Sequence, residues 1–182
     1  MHRSTSGRTF GRFSLYNGNM KQEGFIRNFV FGIEDSLVST LGVVSGIAVA
    51  EVASPIILLT GIVLVFVEAF SMAVGSFLSE ESVRELRAKK HVSMTSSIAG
   101  SVVMFLSYLI TGAIVLIPYT LMVPSRALPW SIGISLIALF LLGAFSARVA
   151  RVSVISHGLR MLLIGGVAIG LGVFVARTVS AL

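Results

Sequence analysis

A chain of 182 residues that is 55% hydrophobic and 12% charged, with a mean hydropathy of +0.95, has about half the roughly 25% charge of a soluble domain and belongs to the membrane class. It contains no cysteine, which excludes disulfides, cysteine-based zinc sites and thiolate catalysis. Its net charge of +6 lies in the connections between apolar runs, a pattern of membrane topology rather than of nucleic-acid binding.

Residues 1–27 are rich in Ser, Gly and Arg. No short apolar core with a small-residue cleavage site follows them, so they do not read as a signal peptide. The expectation is a cytoplasmic arm, mobile or lying on the membrane surface. Phe10, Phe13, Leu15 and Tyr16 would then dip among the headgroups near Arg8 and Arg12.

A spanning helix needs about 20 apolar residues. Five segments qualify within a transmembrane domain of residues 28–182: about 28–50, 55–79, 96–119, 130–147 and 159–182. The predicted fold is all-α with five transmembrane helices. Ser54-Pro55 reads as an N-cap followed by a first-turn proline. Pro118, Pro124 and Pro129 mark the third connection, flanked by the interfacial rings of Tyr119 and Trp130.

Placing the N-terminus in the cytoplasm and the C-terminus outside puts 12 of the 14 basic residues inside. Only Arg126 and Arg177 then lie outside. The asymmetry supports both an odd number of spans and this orientation. The connection around residues 79–93 reads as a solvated helix extending the second span, with Glu81 and Glu85 beside Arg84, Arg87 and Lys90.

Charged groups inside apolar spans cost free energy and mark function. In the first span, Asp35, Ser39, Gly42 and Gly46 share one helical face. The G-x-x-x-G pair lets another helix approach closely, so this face predicts a packing or dimer seam. Glu34 lies about 100° round the helix from Asp35 and reads as facing the cytoplasmic mouth.

In the second span, Glu68, Met72 and Ser79 share a face, with Glu68 near mid-membrane. An ionised carboxylate there is costly unless a cation or a donor is near. It is therefore suited to bind a metal, to carry a proton, or to alternate between the two. Oxygen from Asp35 and Glu68, with Glu34 as a further candidate ligand, plus the Met72 thioether suits Fe²⁺ or Mn²⁺ better than Mg²⁺ or Ca²⁺. One chain offers few ligands, and a two-fold homodimer would double them. Spans three and four carry no internal charge and read as scaffold. Span five, with Gly165, Gly166, Gly170 and Gly172, reads as tight packing. His2, His91 and His157 have no metal-ligand spacing. No nucleotide loop, nucleophile elbow or zinc-hydrolase signature occurs, so an enzyme is not expected.

The run Gly32-Ile33-Glu34-Asp35-Ser36-Leu37-Val38-Ser39-Thr40-Leu41-Gly42-Val43-Val44-Ser45-Gly46 resembles the first-span signature of the vacuolar iron transporter family. Glu68-Ala69-Phe70-Ser71-Met72-Ala73-Val74-Gly75-Ser76-Phe77-Leu78-Ser79 resembles its second-span signature. The resemblance implies a homodimer that exports Fe²⁺ or Mn²⁺ from the cytosol, with proton exchange as the driving force and the pathway between the two first spans. Asp35 and Met72 match the family's metal-binding Asp and Met.

Glu34 stands where the family has Asn, Ser36 where it has Gly, and Ser76 where it has Glu. Glu68, two turns earlier on the same helical face, is the candidate substitute and the candidate proton carrier. The large metal-binding insertion that many members carry after the second span does not fit in this connection. The expected partners are a divalent ion as substrate, protons, lipid and a second copy, with no permanently bound cofactor. The expected place is a prokaryotic inner membrane, or a vacuolar membrane in a eukaryote. The alternatives are a non-transporting scaffold of the same fold and a carrier for another cation.

Overall fold

The computed structural model describes residues 6–88 and 95–181; within them, the side chains of residues 6–22, 87, 88, 95, 96 and 180, those of Arg8, Phe10, Arg12, Phe13, Leu15, Tyr16 and Arg87 among them, lie outside the description, as do Lys89 and Lys90. Five helices follow one another: α1 Ser6–Val49, α2 Ser54–Ala88, α3 Thr95–Leu121, α4 Pro124–Ala150 and α5 Val154–Ser180. No strand occurs among the described residues. Each helix contains a stretch long and apolar enough to cross a membrane: Glu23–Val49, Ser54–Leu86, Ser97–Leu121, Pro124–Ala150 and Val154–Val179.

Helix ends depart from the sequence expectation for local reasons. The α1 helix starts at Ser6, so the backbone expected as a separate arm is continuous with the first span. At the start of α2, Ile57 N–H donates to the Ala53 carbonyl at 3.2 Å. Ala53 is therefore the cap, and Ser54 and Pro55 are already in the first turn. Only residues 122 and 123 separate α3 from α4. Pro118 lies inside α3 and Pro129 inside α4, while Pro124 opens α4 at its first turn. A membrane helix tolerates interior proline because its neighbours re-satisfy the freed carbonyls. Tyr119, expected at the interface, is instead 2% exposed and packed in the core; Trp130 is exposed as expected.

The short connections force antiparallel neighbours. α1 is central and packs against all four other helices, with α2, α3, α4 and α5 following around it. α2 packs chiefly on α3, and α5 on α1 and α4. Leu37, Leu41, Val44, Ile57, Tyr108, Val115 and Leu139 form the fully buried interior. Outward positions are apolar too, including Leu59, Phe66, Val67 and Phe70 on α2 and Leu163, Val167, Leu171 and Phe174 on α5. Such broad apolar exposure suits a hydrocarbon solvent and not water.

The glycine face of α1 meets α5 of the same chain. A Cβ on Gly42 would lie 3.1 Å from the Ala168 carbonyl oxygen, and one on Gly46 would lie 2.7 Å from that of Gly172. A Cβ on Gly172 would collide with the Gly42 carbonyl. Of the two roles expected for this face, a packing seam or a dimer seam, Gly42 and Gly46 serve the first within the chain, as an α1–α5 seam. The spacing specified a close partner without specifying which helix fills the role. A second close crossing joins Gly32 to α3, where a Cβ would lie 2.9 Å from the Met104 carbonyl. With α1 held on both sides, its carboxylate-bearing turn is fixed relative to α2 and α3.

Candidate functional site

Asp35 and Ser39 stand one turn apart on α1, and Glu68 faces them from α2. Ser39 Oγ donates to Glu68 Oε2 at 2.7 Å. The Tyr108 hydroxyl from α3 donates to the same carboxylate oxygen. Ser39 Oγ and Tyr108 Oη also lie 2.6 Å apart. Three helices therefore deliver three oxygens to one point. Behind it, Ser36 Oγ donates to the Tyr108 carbonyl at 2.8 Å, which ties the Tyr108 turn of α3 to the Asp35 turn of α1.

Asp35 and Glu68 are close enough for their charges to repel, and Glu34 repels Asp35 from the next position along α1. Among the described residues, however, no three His, Asp or Glu side chains gather closely enough to hold one metal ion. Glu34, Asp35 and Glu68 thus form a chain of neighbours rather than a cage. Glu34 and Asp35 are half-buried. Met72, one turn beyond Glu68, is partly buried against the cluster that includes Val65, Ala69 and Tyr108. Beyond it, Gly75 faces open space, and the Ser76 hydroxyl is buried with no hydrogen-bond partner.

Sequence reasoning singled out Asp35, Glu68 and Met72 as ligands and Ser39 as part of a packing face; in the structure Ser39 meets Glu68 across α1 and α2, with Asp35 one turn before Ser39 and Met72 one turn beyond Glu68. It missed Tyr108. α3 has no charged residue in its span and read as scaffold, yet it supplies a donor to the buried acid. A tyrosine hydroxyl inside an apolar span was the available signal, since a buried phenol seeks a partner. At the far end of the bundle, Val49, Ala50, Glu51, Arg177 and Ala181 line a cavity of about 300 Å³. Asp35 lies 14 residues before Val49, about 21 Å along the helix.

The sequence profile of the VIT family matches residues 26–95 and 84–177. The two matched stretches meet in the connection between α2 and α3 and together take in all five spans. A comparison with curated proteins finds no match. The chain belongs to the VIT family, the vacuolar iron transporters, whose members are membrane metal-ion transporters and not enzymes.

Proposed function

We propose that this protein exports a divalent first-row metal ion, Fe²⁺ or Mn²⁺, from the cytosol in exchange for protons. The observation that carries the reading is Glu68, an acid in the apolar part of α2 that faces Asp35 and accepts from Ser39 and Tyr108. Asp35 holds the ion with Met72, and Glu34 draws it toward Asp35 from the side of the basic connections.

Glu68 carries the proton. The contacts among Ser39 Oγ, Tyr108 Oη and Glu68 Oε2 form a triangle with three edges. With Glu68 ionised, two hydroxyl protons serve three edges. With Glu68 protonated, each oxygen donates once and accepts once. An ion arriving at Asp35 favours the ionised form of its neighbour and so releases that proton. The N-terminus lies in the cytosol, the host is a prokaryotic inner membrane, and two chains pair to enlarge the ligand set.

Metal uptake into proteoliposomes, read with a pH dye inside, tests this. Asp35→Asn abolishes uptake. Glu68→Gln retains metal binding but uncouples proton movement. Uptake that survives Asp35→Asn removes Asp35 from the pathway, and unchanged proton movement in Glu68→Gln rejects the proton role.

A second reading, a non-transporting member of the same fold, is favoured by the lack of a three-carboxylate group among the described residues. Wild-type protein that moves no Fe²⁺ or Mn²⁺ in the same assay would select it.

A further inference from the structure

Glu80 is the next acid along α2, and its surroundings are built in an unusual way. It continues the i, i+4 row of Glu68, Met72 and Ser76, about 18 Å from Glu68 along the helix. Its carboxylate is wedged between α1 and α3 at two glycines. Oε1 lies 3.6 Å from where a Cβ of Gly24 would stand, and Oε2 lies 3.2 Å from the corresponding point of Gly100. Asn28 Nδ2 reaches the same Gly100 point at 2.7 Å. Asn28 is 2% exposed and its Nδ2 has no hydrogen-bond partner. A buried amide without a partner is costly and asks for a ligand. Asn28 is also seven residues before Asp35, on the same face of α1. The other oxygen of Glu80 pairs with Arg84 Nη2 at 2.6 Å, and Arg84 is partly open to solvent.

We propose that Glu80 and Asn28, converging on the bare face of Gly100, form a second binding site for a divalent cation, which Arg84 occupies as a resident counter-charge until the ion displaces it. The site rests on the metal-transport reading for its purpose, as the loading point below Asp35, but not for its chemistry. Rotating the Asn28 amide by half a turn exchanges nitrogen for oxygen without changing its shape. Asn28 Oδ1 and Glu80 Oε2 then present two hard oxygens, a donor set for a divalent ion that keeps several waters. Arg84 neutralises the carboxylate while the site is vacant, and its long side chain can swing toward solvent when the ion arrives. The buried Ser76 hydroxyl, also unpartnered, lies on the row between this site and Met72.

The test is Mn²⁺ binding to the purified full chain in detergent, read by loss of the free-ion electron paramagnetic resonance signal. Wild type shows two classes of site. Asp35→Asn removes one and keeps the other. Glu80→Gln removes the second and keeps the first, which also shows that the variant is folded. Asn28→Asp tightens the second class and Asn28→Ala weakens it; a packing role alone predicts that both weaken it. Arg84→Gln tightens it by roughly twofold or more, since the part-buried Glu80–Arg84 pair is worth at least as much as a surface i, i+4 pair.

Titrations unchanged in Glu80→Gln, or a looser second class in Arg84→Gln, overturn the proposal. Uptake that persists in Asp35→Asn while the Glu80 titration stands would overturn the transport pathway and leave this site in place.

Discussion

Tyr108 reaches Glu68 from a helix whose sequence shows no charge in its span, and its removal separates two roles. Tyr108→Phe deletes one donor and keeps the ring that fills the core beside Ala69 and Val65. Hydrogen bonds between membrane helices are worth about 0.6 kcal/mol on average, so the variant folds. Its expected defect is chemical: Mn²⁺ still binds at Asp35, but uptake slows and responds less to an imposed pH gradient. Gradient-driven uptake equal to wild type in proteoliposomes would dismiss Tyr108 as a positioning residue. Asp35 and Glu68 were legible in the sequence because a charge in an apolar run stands out against its cost. Tyr108 was not, because its partner depends on the register between α2 and α3, which no spacing within either helix reveals. Asn28 and Glu80 escaped for the same reason: each looks like an ordinary polar residue near the end of an apolar run until both meet at Gly100.

At the scale of the helix, five spans follow from hydropathy alone, since each apolar run falls within the roughly 17–25 residues that a spanning helix uses. Their ends do not, because caps and prolines act locally: Ala53 rather than Ser54 caps α2, and Pro129 sits within α4. The glycine pair of α1 was legible as a close-packing motif, while its occupant was not: spacing left a helix of the same chain and a second copy open, and α5 of the same chain packs there. This assignment predicts an asymmetric response to added side chains. Gly46→Val drives its side chain against the Gly172 backbone, which cannot yield as a flexible side chain would, and overpacking of that kind costs about 1–3 kcal/mol. Gly170→Ala enters open space and gains helix propensity, up to about 1 kcal/mol where it is not offset. Thermal unfolding in detergent should show a lower midpoint for the first and an equal or higher one for the second. Equal midpoints for both variants would place the α1–α5 seam elsewhere.

For the molecule as a whole, direction of transport depends on which end of the bundle faces the cytosol. Antiparallel helices with short connections bring the start of α1, the end of α2, the end of α4 and the start of α5 to one side. Arg27, Arg84, Arg148, Arg151 and Arg160 lie there, and positive charge is retained on the cytoplasmic face. Arg151 holds its place at a structural cost, since it closes α4 with a φ of 56°, a left-handed conformation that glycine adopts more readily.

The chain has no cysteine, so single introduced thiols report topology without background. Ser125, exposed in the first turn of α4, and Ser153, exposed just before α5, lie at opposite ends of the bundle and accept cysteine with little change in volume. In intact cells a membrane-impermeant maleimide should label Ser125→Cys. Ser153→Cys should react only after the membrane is opened. The reverse pattern would put Glu80 and Asn28 on the outer face, where a loading site serves uptake rather than export. The same five helices and the same carboxylates would then run the cycle in the opposite direction.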